Sequence, residues 1–246
     1  MENNNNDIHL EDNQNSNNTP KNQSQIVAAI IVVGLFIVGA ILLKGTKPND
    51  SFGLNNDQDA TKEVVTKPIS TDEHILGNPD AKIFIVEYSD TECPFCKNFH
   101  NTMIQTVAQS DGQVAWVYRH FPIASLHAKA FHEAEATECA WEQGGNETFW
   151  KYTNEVYART QSNDQLDVAE LPKIAESLGL DMITFNTCLA SGKYADKIDA
   201  DIMDGQNAGV RGTPTSFIVM NGKVVDMIQG AQPFEALKIK LSSLLK

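Results

Sequence analysis

Basic residues are few in this chain: 19 lysines and arginines stand against 32 aspartates and glutamates, a formal net charge of −13 over 246 residues. A surface of that sign repels a phosphate backbone, so nucleic acid is excluded as a natural partner. Cysteine is sparse as well, with four in all. Only Cys93 and Cys96 are close in sequence; Cys139 and Cys188 stand alone and far apart. A zinc site built on Cys-x-x-Cys wants a second short-spaced ligand pair beside it, and neither distant cysteine supplies one. There are no internal repeats and no nucleotide motif, so the expectation is no cofactor and no metal.

Long apolar runs are missing too, with one exception. Residues 26–43 read IVAAIIVVGLFIVGAILL without a charge. At the helical rise eighteen residues span about 27 Å, close to the hydrocarbon thickness of a bilayer. Residues 1–25 are mostly Asn, Gln, Ser, Asp and Glu and predict a disordered polar tail. A buried core helix at 26–43 is therefore not expected, since nothing globular lies upstream to cover it. A cleaved leader is the rival, because Val38-Gly39-Ala40 offers small residues in a cleavage-like pattern. The tail before it is long and acidic rather than short and basic, which favours an uncleaved transmembrane signal-anchor. Residues 44–70, polar and broken by Gly45, Pro48, Gly53 and Pro68, read as a flexible linker. Lys21 precedes the span while Lys44 and Lys47 follow it, and that count alone points the C-terminal part toward the cytoplasm.

Residues 71–246 carry the folded domain. Gly77-Asn78-Pro79-Asp80 is a turn signal, and an apolar strand is predicted over 82–88. Cys93-Pro94-Phe95-Cys96 follows at a strand-to-helix junction, with a helix predicted over 93–109. The first sulfur then sits at a helix N-terminus, where unpaired N–H groups and the helix dipole favour thiolate over thiol. Pro94 falls in the first turn, where its missing N–H costs nothing. That is the arrangement of a redox-active dithiol. A second strand at 113–119 completes a βαβ unit. Helical spacing then recurs over 126–141, 146–157, 167–178, 182–190 and 193–208, so a helical insertion is expected over about 124–208. Strands return at 216–220 and 223–228 around the hairpin signal Asn221-Gly222, and an amphipathic helix at 233–245 closes the chain.

With these elements in place the chain resembles the DsbA-like thiol:disulfide oxidoreductases of the thioredoxin superfamily, in the branch termed thioredoxin-like 4. The matching stretches are Glu87-Tyr88-Ser89-Asp90 with Cys93-Pro94-Phe95-Cys96, then His120-Phe121-Pro122, Cys139-Ala140 with Glu142-Gln143-Gly144, and Val210-Arg211-Gly212-Thr213-Pro214-Thr215. The resemblance implies an α/β thioredoxin-like fold carrying the helical insertion. It implies Cys93 as nucleophile, Cys96 as buried resolving thiol, and Pro214 as a cis-proline whose neighbour Thr213 presents its backbone to an extended substrate. Without the family, Pro214 reads equally as a trans proline opening a strand. Glu87 matches a buried acid that moves a proton to or from the second cysteine; read from the residues alone it is as easily a surface carboxylate. His120 and His127 match the pattern as well, and each reads more simply as a satisfied structural group. The family further implies a structural disulfide between Cys139 and Cys188. Such a bond requires an oxidising compartment, which outweighs the lysine count and puts the domain outside the cytoplasm.

The expected function is a membrane-anchored extracytoplasmic oxidase that introduces disulfides into unfolded or partly folded exported proteins. By family analogy a membrane reoxidase is the partner, and a monomer is expected. The chain has Phe95 where the best-known DsbA has histidine, which removes one cation from beside the thiolate. The alternatives are a disulfide isomerase or reductase, or a non-catalytic module that holds extended peptides. The isomerases of the superfamily usually carry a dimerisation domain ahead of the catalytic one, and residues 44–70 are too short and too polar for that.

Overall fold

The computed structural model describes residues 64–246. The expected tail at 1–25 and anchor at 26–43, with most of the linker at 44–70, lie outside them. Among the described residues no helix is long and apolar enough to cross a membrane.

Five strands form one sheet in the order β1-β3-β2-β4-β5: β1 (His74–Leu76), β2 (Ile83–Ser89), β3 (Val114–His120), β4 (Thr215–Met220) and β5 (Lys223–Gln229). β2 and β3 are parallel and joined by α1 (Pro94–Ala108); the other neighbours are antiparallel. As the central strand, β2 is covered on both faces, so its apolar run is continuous instead of alternating. Period two still sorts its side chains. Ile83 and Ile85 join Trp116, Tyr118 and Ile218 in the core shared with α1 and with α6 (Phe234–Leu244). Val86 and Tyr88 join Val117, Phe121 and Phe217 on the opposite face. The same alternation turns Glu87 toward the α1 side, in register with Tyr118 on one neighbour and Ser216 on the other.

Between β3 and β4 lie α2 (Ala130–Arg159), α3 (Glu170–Ser177), α4 (Met182–Ser191) and α5 (Ala195–Ala208). The helix α2 is two segments bent across Gly144 and Gly145, where Gly145 has φ +61°, at the break expected between 141 and 146. Its first segment starts at 130, not 126. Residues 126–129 are held in turns instead: the Ile123 carbonyl accepts from Leu126 and His127, and the amides of Ala128 and Lys129 donate to the Asp164 carboxylate. Similarly α3 begins at 170 instead of 167, because Asp167 bonds the Ala169 N–H from outside the helix. Asp181 caps α4 through the Thr184 N–H at 2.7 Å, and left-handed Gly192 ends it. The insertion has its own core of Tyr152, Leu171, Ile174 and Phe185. A disulfide joins Cys139 of α2 to Cys188 of α4 within it.

Sequence patterning misses β1. Three residues are too few for an alternation, and the strand forms because it pairs with the outer edge of β3. Upstream of it Lys67 is already fixed: its N–H donates to Asp204 at 2.8 Å and its ammonium to Asp201 at 2.5 Å. The fully buried Arg119 donates to the Lys67 carbonyl at 2.9 Å and pairs with Glu73 and Asp204. The folded unit therefore reaches back to Lys67, a few residues ahead of the expected boundary at 71.

Candidate active site

Cys93 is the N-cap residue of α1, in an extended conformation, and Pro94 is the first helical residue. The turn that presents it is built by main-chain bonds: the Cys93 N–H donates to the Asp90 carbonyl at 3.1 Å, and the Cys93 carbonyl accepts from Lys97 at 3.0 Å. Its Sγ faces the Thr213 carbonyl oxygen at 3.4 Å. The Thr213–Pro214 peptide bond is cis. Beside it opens a cleft of about 290 Å³ lined by Arg211, Gly212, Thr213, Pro214, Gln229 and Gly230. Both cysteines of the pair are thiols, Cys93 5% exposed and Cys96 wholly buried.

The two sulfurs are driven apart in acidity. The neighbouring Cys96 thiol does most to stabilise the Cys93 thiolate; burial works against this, and the Cys96 and Phe95 amides add to it, as does the Thr213 hydroxyl, nearby but outside good geometry. The net effect pulls Cys93 down to about 6. Cys96 moves the other way, well above the ordinary thiol value, through burial first and then through the neighbouring Cys93 and Glu87. One sulfur is therefore a thiolate at neutral pH while its partner keeps its proton, the asymmetry that thiol–disulfide exchange requires.

Beneath the pair lie several buried polar side chains. Glu87 is fully buried and neither carboxylate oxygen has a partner in hydrogen-bonding geometry. Burial pushes it up to about 8; Ser89 and Trp116, nearby but outside good geometry, offset only part of this. Glu87 thus carries a proton at neutral pH, close enough to Cys96 for their charges to interact. The Ser89 hydroxyl meets that of Tyr157 at 3.0 Å, and Tyr118 meets Tyr157 at 3.2 Å. Burial raises both tyrosines well above their ordinary value, so they stay neutral donors.

Two further acids precede Cys93. The Asp90 carboxylate accepts from the Glu92 N–H at 2.9 Å, the Ile123 N–H at 2.8 Å and His127 Nδ1 at 2.9 Å. The Glu92 carboxylate is tied to Thr160, Gln165 and Leu166. On α2 the buried Glu133 has no partner for either oxygen. Burial first, then Glu92 and Asp90, push it up to about 8, with Thr91 easing part of the shift.

The structure thus gathers Cys93, Cys96, Thr213, Pro214 and Glu87 at one end of the sheet, and sets Cys139 and Cys188 apart in the insertion. Asp90, Ser89, Tyr118, Tyr157 and Glu133 also surround the centre, and the sequence singles none of them out for a role. Asp90 alone left a signal, an acid three residues ahead of Cys93 at a strand end. His120 is elsewhere: with His74 it donates to Glu138 Oε1, at 2.8 and 2.6 Å. Among the described residues this is the one His/Glu grouping with the spacing of a metal site. The Lys197 ammonium lies 2.5 Å from the same oxygen and 2.9 Å from His74 Nε2, so lysine occupies the place a cation would take.

Fold and site together define a class: a parallel βαβ unit, an antiparallel hairpin beyond a helical insertion, and an acidic N-cap thiol opposite a cis-proline. The family model described as thioredoxin matches residues 70–239, and the chain belongs to that family. Within it the chain is DsbA-like. The crystal structure of Pseudomonas aeruginosa DsbA2 superposes with a TM-score of 0.60 at 28% identity, covering 72% of this chain and 97% of that one. Oxidised BdbD from Bacillus subtilis shares the fold, with a TM-score of 0.63 at 20% identity over 74% of this chain and 97% of that one. By sequence, a protein named Na(+)/H(+) antiporter NhaA 1 from Mycolicibacterium gilvum is 32% identical over 160 residues, 64% of this chain. One named NhaA 3 from Salinispora tropica is 34% identical over 157 residues, 63% of this chain. The matched region spans about a quarter of the length of these relatives, 25% and 23%.

Proposed function

We propose that this chain is a protein thiol:disulfide oxidoreductase acting as an oxidase on exported proteins through Cys93 and Cys96. The observation that carries this is the Cys93 sulfur, acidified at the N-cap of α1 and facing the Thr213 carbonyl beside Pro214. In the oxidised enzyme a substrate thiolate attacks Cys93 Sγ. The Cys93–Cys96 bond breaks, and Cys96 leaves as a thiolate that takes the proton held by Glu87. A second substrate thiolate attacks the substrate sulfur of the mixed disulfide and expels the Cys93 thiolate. The substrate loses two electrons, and the Cys93–Cys96 disulfide gains them and becomes the dithiol. An extended substrate would lie in the cleft at 211–214, bonding the Thr213 backbone. The stable Cys93 thiolate favours the reduced enzyme, and with it the oxidase direction.

Location belongs to the same reading. The Cys139–Cys188 bond supports an oxidising compartment, with residues 26–43 as a single-pass anchor, the stretch from 44 up to Lys67 as its linker, and a membrane reoxidase to restore the disulfide. The full chain, equilibrated against graded glutathione buffers and read by alkylation and mass spectrometry, tests the direction. A potential near about −120 mV supports the oxidase; one near about −270 mV makes a reductase or isomerase the better reading. A Cys93→Ala chain that still binds peptide, while the native chain oxidises none, would mark a peptide-holding module instead.

A further inference from the structure

Buried acids gather in the turn ahead of Cys93. Asp90 and Glu92 lie within three residues on its N-terminal side, and Asp164, in the loop ahead of α3, accepts from the Lys129 N–H two residues after His127. Glu133 stands behind them on α2, held protonated by its burial, and adds no charge. The two residues between the cysteines, Pro94 and Phe95, carry no charge to set against these acids, and Phe95 is 62% exposed, turned to solvent. Nor does Lys97 reach the sulfur: its ammonium is bonded to the Thr160 carbonyl at 2.5 Å. Lys129 is likewise engaged, with the carbonyls of Asp164 and Leu166.

One imidazole is aimed at this acidic group. His127 is 6% exposed and sits in the turn between β3 and α2, and its Nδ1 lies 2.9 Å from Asp90 Oδ2. That carboxylate is fixed by the Glu92 and Ile123 amides, and the Asp90 main chain holds the Cys93 N–H. One residue thus ties the imidazole and the nucleophile to the same turn.

We propose that His127, anchored by Asp90, is the cation that offsets the acids around Cys93 and adds to the stabilisation its thiolate receives from Cys96, a part no side chain between the two cysteines can take here. His127 and Asp90 are positioning residues, acting on the sulfur through its field. Burial opposes the imidazolium, but the Asp90 bond and charge outweigh it, with Cys93 and Asp164 adding in the same direction, and the net shift is upward. Coupling between two titrating groups is reciprocal: if the thiolate favours the imidazolium, the imidazolium favours the thiolate. The inference rests on the dithiol reading above, and it supplies the charge that Phe95 does not.

The test uses the full 246-residue chain, native and with His127→Gln or His127→Lys. The pH profile of Cys93 alkylation by iodoacetamide should move upward by about one unit in His127→Gln, lowering the dithiol–disulfide constant against glutathione about fivefold at pH 7. In His127→Lys, which keeps a cation, both should stay near the native values. A His127→Gln profile that superimposes on the native one overturns the proposal, and does so even if the chain oxidises substrate normally. If the variants do not fold, the native chain decides by NMR. His127 should titrate at higher pH in the dithiol than in the disulfide form, and identical titrations overturn the proposal. Neither readout needs turnover, so a native chain that oxidises no dithiol peptide sinks the oxidase reading and leaves these results to judge His127.

Discussion

At the residue scale the centre works by separating two identical groups. Cys93 and Cys96 differ by one helical turn, yet one meets amide donors at a helix end and the other is sealed above a protonated acid. Cys96→Ala should therefore leave a nucleophile with no resolving thiol. Mass spectrometry of that variant mixed with a reduced peptide and oxidised glutathione should find a lasting mixed disulfide on Cys93, and the native chain should show almost none. Glu87 makes a second prediction. Its value in the fold, about 8, lies above the ordinary 4.5, so the fold favours the protonated acid. That contribution is intact below about pH 4.5 and is lost as pH rises toward 8, a loss on the order of a few kcal/mol. Glu87→Gln holds the site neutral, so its denaturation midpoint should fall less between pH 5 and pH 8 than that of the native protein. Equal falls would show that Glu87 ionises freely in the fold.

At the scale of elements, the chemistry depends on how closely helices approach the sheet. Gly205 of α5 lies against β2 and the turn after β3. A Cβ there would come within 2.8 Å of the Phe121 ring and of Tyr88 Cδ1, both packed in the core. Alanine normally stabilises a helix interior by up to about 1 kcal/mol relative to glycine. Here the clash reverses the sign, and Gly205→Ala should lower stability by about 1–3 kcal/mol in urea denaturation. Four of the five strands, α1 and the closing hairpin were legible because runs such as residues 83–86 and the pair Asn221-Gly222 carry their structure locally. The helix starts at 126 and 167 were misplaced because Asp164 and Asp167 bond backbone amides that periodicity leaves to the helix. The strand at His74–Leu76 was invisible because it exists only as a partner of β3.

At the scale of the whole molecule, the helical insertion holds together through its own small core and one covalent bond. The Cys139–Cys188 link closes a loop with a sequence separation of 49, which on the chain-entropy account stabilises by about 4 kcal/mol. The double variant Cys139→Ala, Cys188→Ala should lose stability of that order. Its Cys93 alkylation profile should stay in place, because the disulfide lies within the insertion's own core, apart from the residues around Cys93. A shifted profile would mean that the insertion reaches the centre through its packing.

The sequence by itself determined the dithiol at a strand-to-helix junction, the βαβ and hairpin halves around a helical insertion, and a strongly acidic chain with one long apolar run. These depend on spacing and composition, which are local. Only the tertiary structure decided that Glu87 is sealed and protonated, because β2 is covered on both faces and its alternation could not say which face was wet. Only it brought Thr213 to Cys93 across 120 residues, joined Cys139 to Cys188, and laid His127 against Asp90 while sending His120 to Glu138. A side chain's charge and acidity are set by neighbours that the chain supplies from far away, and the fold alone chooses those neighbours.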